Sequence, residues 1–138
     1  MFKNWKNWMT IVLWMVSFGV MAEGMAPVRI MGATTADTYT AKLLHDKGVT
    51  FVDVRDEEKY REGHIPGAKN LWVRGDQFTA ENLAALAPKD KPVVFYCNGV
   101  TCQGSSIAAT KALEWGWQAV YYYREGFPKW QQSGLPVE

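Results

Sequence analysis

Pro92-Val93-Val94-Phe95-Tyr96-Cys97-Asn98-Gly99-Val100-Thr101-Cys102-Gln103-Gly104-Ser105-Ser106-Ile107-Ala108-Ala109 is the stretch whose reading decides the fold. From Val93 to Tyr96 the residues are β-branched or aromatic with no polar break, as in a strand covered on both faces. A loop of small and polar residues follows. Ser105 then opens an alanine-containing helical pattern that runs to Trp115, with a serine as its N-cap. A strand, a loop and a helix start in that order aim unpaired N–H groups and a positive dipole end at whatever the loop holds. Cys97 would sit in this cradle, bounded by the backbone of Asn98, Gly99, Val100, Thr101, Gln103, Gly104 and Ser105. Such amides stabilise a thiolate, and they equally stabilise a persulfide on the same sulfur.

The same apolar continuity recurs from Val49 to Val54. Shorter extended segments fall at Val28 to Met31, Ala68 to Leu71 and Ala119 to Tyr122, each bounded by turn or charged residues. Helical patterns lie between them, at Ala36 to Asp46, Glu57 to Glu62 and Ala80 to Leu86. Strands alternating with helices predict an α/β fold, with a central five-stranded parallel sheet and helices on both faces. Ligand crevices in such sheets lie beyond the carboxyl ends of the strands. That rule singles out Asp53 to Asp56 and Cys97 to Gly104.

The chain has 138 residues, 48% of them apolar and 21% charged, which suits one folded domain and not a disordered segment. A formal net charge of +1 offers no polybasic surface, so no nucleic-acid partner is expected. Lys3 and Lys6 precede an uncharged stretch from Asn7 to Ala22, which closes with Val20-Met21-Ala22 ahead of Glu23. This is the pattern of a secretory signal, and it is short for a permanent span. The expected organisation is a signal peptide at residues 1–22, or an uncleaved N-terminal anchor, then a lead-in at 23–32 and a domain at 33–138. The domain would then lie in the bacterial periplasm, touching the inner membrane only if the segment is uncleaved. Both cysteines survive such processing, and a pair in an oxidising compartment is a candidate disulfide. Two cysteines and two distant histidines have no zinc-type spacing. No metal and no other cofactor is expected.

Several motifs, in this order, resemble the single-domain rhodaneses: Asp53-Val54-Arg55, Tyr60, Gly63-His64-Ile65-Pro66-Gly67-Ala68, Tyr96-Cys97, and Gly126-Phe127-Pro128-Lys129-Trp130 through Gly134-Leu135-Pro136-Val137. The resemblance runs from about Ala33 to Glu138. It implies a rhodanese-like fold and sulfurtransferase chemistry. Cys97 would take sulfane sulfur from a small-molecule donor, thiosulfate or a low-molecular-weight persulfide, and pass it to a thiol or protein acceptor by ping-pong transfer. Asp53 and Arg55 would support the active loop.

Two departures stand out. The family's loop commonly carries an arginine or other cation before its serine, whereas Gln103-Gly104-Ser105 stands here and no cation lies between Cys97 and Lys111. This weighs against the thiosulfate dianion as the physiological donor. It also weighs against the phosphatases of the same fold, whose arginine clamps the oxyanion. The second departure is Cys102, which resembles an exported subset with another cysteine inside the loop. Cys102 reads either as a resolving residue or as a small packed one. A resolving cysteine would attack the Cys97 persulfide, expel sulfide and leave a disulfide for a periplasmic reductant. The alternative function is a non-catalytic or thiol-redox module built on a Cys97/Cys102 disulfide.

Asp53 and Arg55 otherwise read as a strand-end pair, and His64 as a turn residue that satisfies backbone groups in preference to a general base. Arg74 and Arg124 follow the third and fifth strands. Either could swing toward the crevice in place of the missing cation, though solvated surface charge is their expected state. Tyr121-Tyr122-Tyr123, Trp72, Trp115, Trp117 and Trp130 read as core and rim.

Overall fold

The computed structural model describes residues 24–138. The expected signal or anchor at residues 1–22 lies outside the described residues. Five strands, β1 (Thr34–Thr35), β2 (Thr50–Asp53), β3 (Lys69–Asn70), β4 (Val93–Tyr96) and β5 (Val120–Tyr123), form one sheet in the order β1-β5-β4-β2-β3. Every pairing is parallel. The helices are α1 (Thr38–Asp46), α2 (Glu57–Glu62), α3 (Ala80–Leu86), α4 (Gly104–Glu114) and α5 (Gly126–Gln132). Asp37, Asp56 and Thr79 cap the first three, each side chain accepting from the backbone N–H three residues on.

β4 lies at the centre, with Phe95 opposite Val52 on one side and Tyr122 on the other. Its side chains alternate between two apolar layers, as the two-residue period requires. Val93 and Phe95 pack with Val52, Val54 and the alanines Ala108, Ala109 and Ala112 of α4. Val94 and Tyr96 pack with Phe51, Ile65, Phe127 and Trp130 on the opposite face. Cys97 continues the alternation one step past the strand and joins the α4 layer. The apolar spacing of β4 therefore decides which way the sulfur points.

Three local expectations are corrected. Val28 to Met31 is not a strand: Val28 is 66% and Met31 97% exposed, and the chain meets β5 only after Gly32, at Thr34–Thr35. A short apolar run carries no information about whether a sheet edge lies within reach. The second correction is α5, to which the sequence reading assigns no element. Gly126 and Pro128 look like breakers, but a proline in the first turn gives up an N–H that has no intrahelical partner there. The third is the serine cap, because α4 begins at Gly104 with Gln103 in the cap position and no side-chain cap bond.

Candidate active site

Cys97, at the carboxyl end of β4, is 4% exposed, and Cys102 is half-buried. The two are joined in a disulfide with their Cα atoms 6.2 Å apart. Between them the chain turns at Gly99, whose φ of +103° is a glycine conformation, and the Cys102 N–H donates to Gly99 O at 3.0 Å. The amides of Thr101, Gln103, Gly104 and Ser105 donate to no backbone carbonyl among the described residues. They are the free N–H groups expected where a loop runs into a helix start.

Gly104 closes the site from the helix side. A Cβ there would lie 3.1 Å from Cys97 Sγ, 3.4 Å from Cys102 Sγ and 3.3 Å from Val73. The absence of a side chain lets the first turn of α4 approach both sulfurs. The next residue, Ser105, is fully buried, and its Oγ has no hydrogen-bond partner. The Ser106 hydroxyl donates to Gln103 O at 2.7 Å and ties the loop's end to the helix. Asn98, Thr101 and Gln103 face outward.

The loop stands against a rigid neighbour. Arg55, 5% exposed, donates from Nε to both oxygens of the fully buried Asp53 at 3.0 and 3.2 Å, and from Nη2 to Asp53 Oδ2 at 2.6 Å. Nη2 also donates to Gly63 O at 2.7 Å, and the guanidinium lies over the Phe127 ring at 4.5 Å. The Phe127 N–H in turn donates to Cys97 O at 3.0 Å. Asn70 adds Nδ2 bonds to Asp53 O and Arg55 O at 3.1 and 2.9 Å. Burial, and next the Asp53 charge, push the Tyr96 phenol far above its ordinary range. Tyr96 therefore stays neutral while its oxygen accepts from the Ile65 N–H at 3.1 Å.

Asp53 and Arg55 thus meet the cysteine loop through Phe127, whereas the other candidates lie elsewhere. His64 donates from Nδ1 to Tyr60 O at 2.8 Å and stacks on the Tyr60 ring at 3.8 Å, with its Nε2 lying 3.3 Å from Glu138 Oε2. Arg74 is exposed. Arg124 is not a solvated charge: it is half-buried and donates through Nε and Nη2 to Ala26 O, so its guanidinium is engaged outside the cradle. A groove of about 420 Å³ runs beside the loop between Arg55, Lys59, Gly63, Asn98, Phe127 and Pro128. Sequence reasoning gave no site role to Asn70, Gly126 or Ala26. Gly126 carried a signal, because a glycine opening an aromatic-rich helix marks a close backbone approach.

Comparison with known proteins agrees with this architecture. Residues 36–133 match the rhodanese-like domain family, and the chain belongs to it. It is 34% identical over 117 residues to the HTH-type transcriptional regulator Rv0324 of Mycobacterium tuberculosis, covering 83% of this chain and 50% of that protein. The chain thus spans half the length of that relative. It is 32% identical over 98 residues to the thiosulfate sulfurtransferase GlpE of Pseudoalteromonas translucida, covering 68% of this chain and 84% of the relative. Among solved structures, BH2092 of Bacillus halodurans superposes with a TM-score of 0.68 at 29% identity, covering 77% of each chain. Membership and the sulfurtransferase relatives support a transferase at the level of the family.

Proposed function

We propose that the protein is an exported sulfurtransferase that carries sulfane sulfur on Cys97. The reading rests on one observation: the first residue after the central strand is a cysteine, enclosed by a loop and a helix start whose amide N–H groups are uncommitted. The reduced Cys97 thiolate attacks the outer sulfur of the donor, an S–Cys97 bond forms, and the donor's own bond to that sulfur breaks with its electron pair leaving on the donor. From thiosulfate the leaving group is sulfite; from a persulfide it is a thiolate. An acceptor thiolate then takes the outer sulfur and returns Cys97 as thiolate. No cofactor enters, and the cradle amides hold negative charge at each stage. With no cation in the loop and Arg124 engaged elsewhere, a persulfide donor is favoured over the thiosulfate dianion.

The disulfide supports a role for Cys102 as resolving residue. Attack of the Cys102 thiolate on the inner sulfur of the Cys97 persulfide releases hydrosulfide and leaves the disulfide. A dithiol reductant of the exported compartment supplies the two electrons that reopen it. The same bond favours a second reading, a thiol-redox module that never carries sulfur. Intact mass of the reduced protein after exposure to a persulfide, and separately to thiosulfate, separates the two. A gain of one sulfur that is lost in Cys97→Ser and accumulates in Cys102→Ser is expected. No gain from either donor would favour the redox module. N-terminal sequencing of the protein recovered from the periplasm, expected to begin at Glu23, tests the export component.

A further inference from the structure

The lead-in ahead of α1 contributes nothing to the sheet before Thr34, yet it reaches the tip of the cysteine loop. The Ala26 N–H donates to Val100 O at 2.7 Å, and Ala26 is 3% exposed. Its carbonyl accepts from Arg124 Nε at 3.1 Å and Nη2 at 2.9 Å, while the Tyr122 hydroxyl donates to Pro27 O at 2.8 Å. The Ala26 backbone is thus held at both its N–H and its C=O. Pro27 restricts the residue before it to extended conformations, which readies Ala26 for this bridging position. Ala26 and Pro27 lie outside residues 36–133, the part that matches the family, while their partners Val100, Tyr122 and Arg124 lie within it.

A trans peptide points its C=O and its N–H in opposite directions, and no peptide bond among the described residues is cis. Tying Val100 O to the lead-in therefore turns the Thr101 N–H away from it. That N–H has no backbone acceptor among the described residues. A flip of this one peptide would put the Val100 carbonyl oxygen where the Thr101 N–H now points, and beside a sulfur anion that exchange replaces attraction with repulsion. We infer that Arg124, acting through Ala26, is a positioning residue for the Cys97 anion, holding the Val100–Thr101 peptide with its N–H toward the sulfur cradle. The role rests on the reading of Cys97 as an anionic sulfur carrier.

The experiment uses the full chain carrying Cys102→Ser, so that Cys97 is a free thiol, and follows its alkylation by iodoacetamide against pH. Arg124→Gln removes the charged donors, Ala26→Pro removes the N–H that reaches Val100 O while keeping the C=O, though its ring also fixes φ, and Arg124→Lys keeps a donor for Ala26 O. The midpoint is expected to rise in Arg124→Gln and in Ala26→Pro, with the thiolate fraction at neutral pH lower by about three- to tenfold, and to return toward the parent in Arg124→Lys. An unchanged midpoint in Ala26→Pro overturns the inference whatever Arg124→Gln does, because a direct effect of the Arg124 charge on the sulfur does not need that N–H. Failure of the sulfur-carrier reading is visible separately, as a parent that gains no sulfur from a persulfide even though its thiol alkylates.

Discussion

The loops that follow β2 and β4 leave the carboxyl end of the sheet from neighbouring strands and use their polar groups in opposite ways. After β2, Arg55 binds both oxygens of Asp53 and the Gly63 carbonyl, and Asn70 holds the backbone on either side of the pair. After β4, the amides of Thr101, Gln103, Gly104 and Ser105 have no backbone acceptor among the described residues, and the sulfurs lie where those amides begin. One loop is saturated and serves as a wall; the other keeps donors in reserve for charge. A reactive sulfur needs both, since donors that compensate one another offer nothing to an anion, and unused donors hold their geometry only against rigid support.

The largest effect is expected from breaking the saturated side. Asp53→Ala leaves a buried guanidinium without its carboxylate and should cost about 3–5 kcal/mol in urea unfolding. A loss below about 1 kcal/mol would mean that the loop after β2 is not the rigid partner. Gly126→Ala strikes the junction of the two regions. Its φ is +65°, and an added Cβ would lie 2.4 Å from Cys97 O and 2.9 Å from Gly99 N. The left-handed conformation alone costs about 1–2 kcal/mol, and the clash must in addition displace the loop. Thermal unfolding and sulfur loading should therefore fall together.

Gly104→Ala sharpens the contrast from the reactive side. Its Cβ meets Cys97 Sγ at 3.1 Å rather than backbone, so the expected signature is a loading rate lower by about tenfold with stability changed by less than about 1 kcal/mol. A stability loss larger than that of Gly126→Ala would invert the comparison. The smallest effect belongs to Glu138→Gln, remote from the cradle. The Gly67 N–H, with His64 beside it, holds the Glu138 carboxyl below its ordinary value of 4.5. A depressed carboxylate adds stability above its unfolded pKa and loses it as pH falls through the folded one. Glu138→Gln should lower Tm slightly at neutral pH, converge with the parent as pH falls through the lowered carboxyl pKa, and leave sulfur loading unchanged throughout.

Much of this contrast was legible in the chain. The continuous apolar runs at Thr50–Asp53 and Val93–Tyr96 are local patterns, and they became adjacent strands, two of the three inner ones, because both faces of each needed covering. Cys97 was legible for the same reason, being the first residue past such a run. The lead-in was misread because Val28 to Met31 has the composition of a strand, while whether it pairs depends on where the β5 edge ends. Arg124 was misread because a residue after a strand looks solvated unless a distant segment covers it. Ala26 carried no signal at all: its part is played by backbone groups, which every residue but proline possesses.

The sequence by itself determined the α/β architecture, the cysteine at the head of the sheet and the missing cation in its loop, because each is written in neighbouring residues. Only the tertiary structure decided that the Asp53 and Arg55 region braces Cys97 through Phe127, and that Arg124 reaches the loop through Ala26. Those contacts join residues far apart in the chain, brought together by the strand order β1-β5-β4-β2-β3. That order is a global solution to covering both faces of one sheet, and no periodicity of a single segment encodes it.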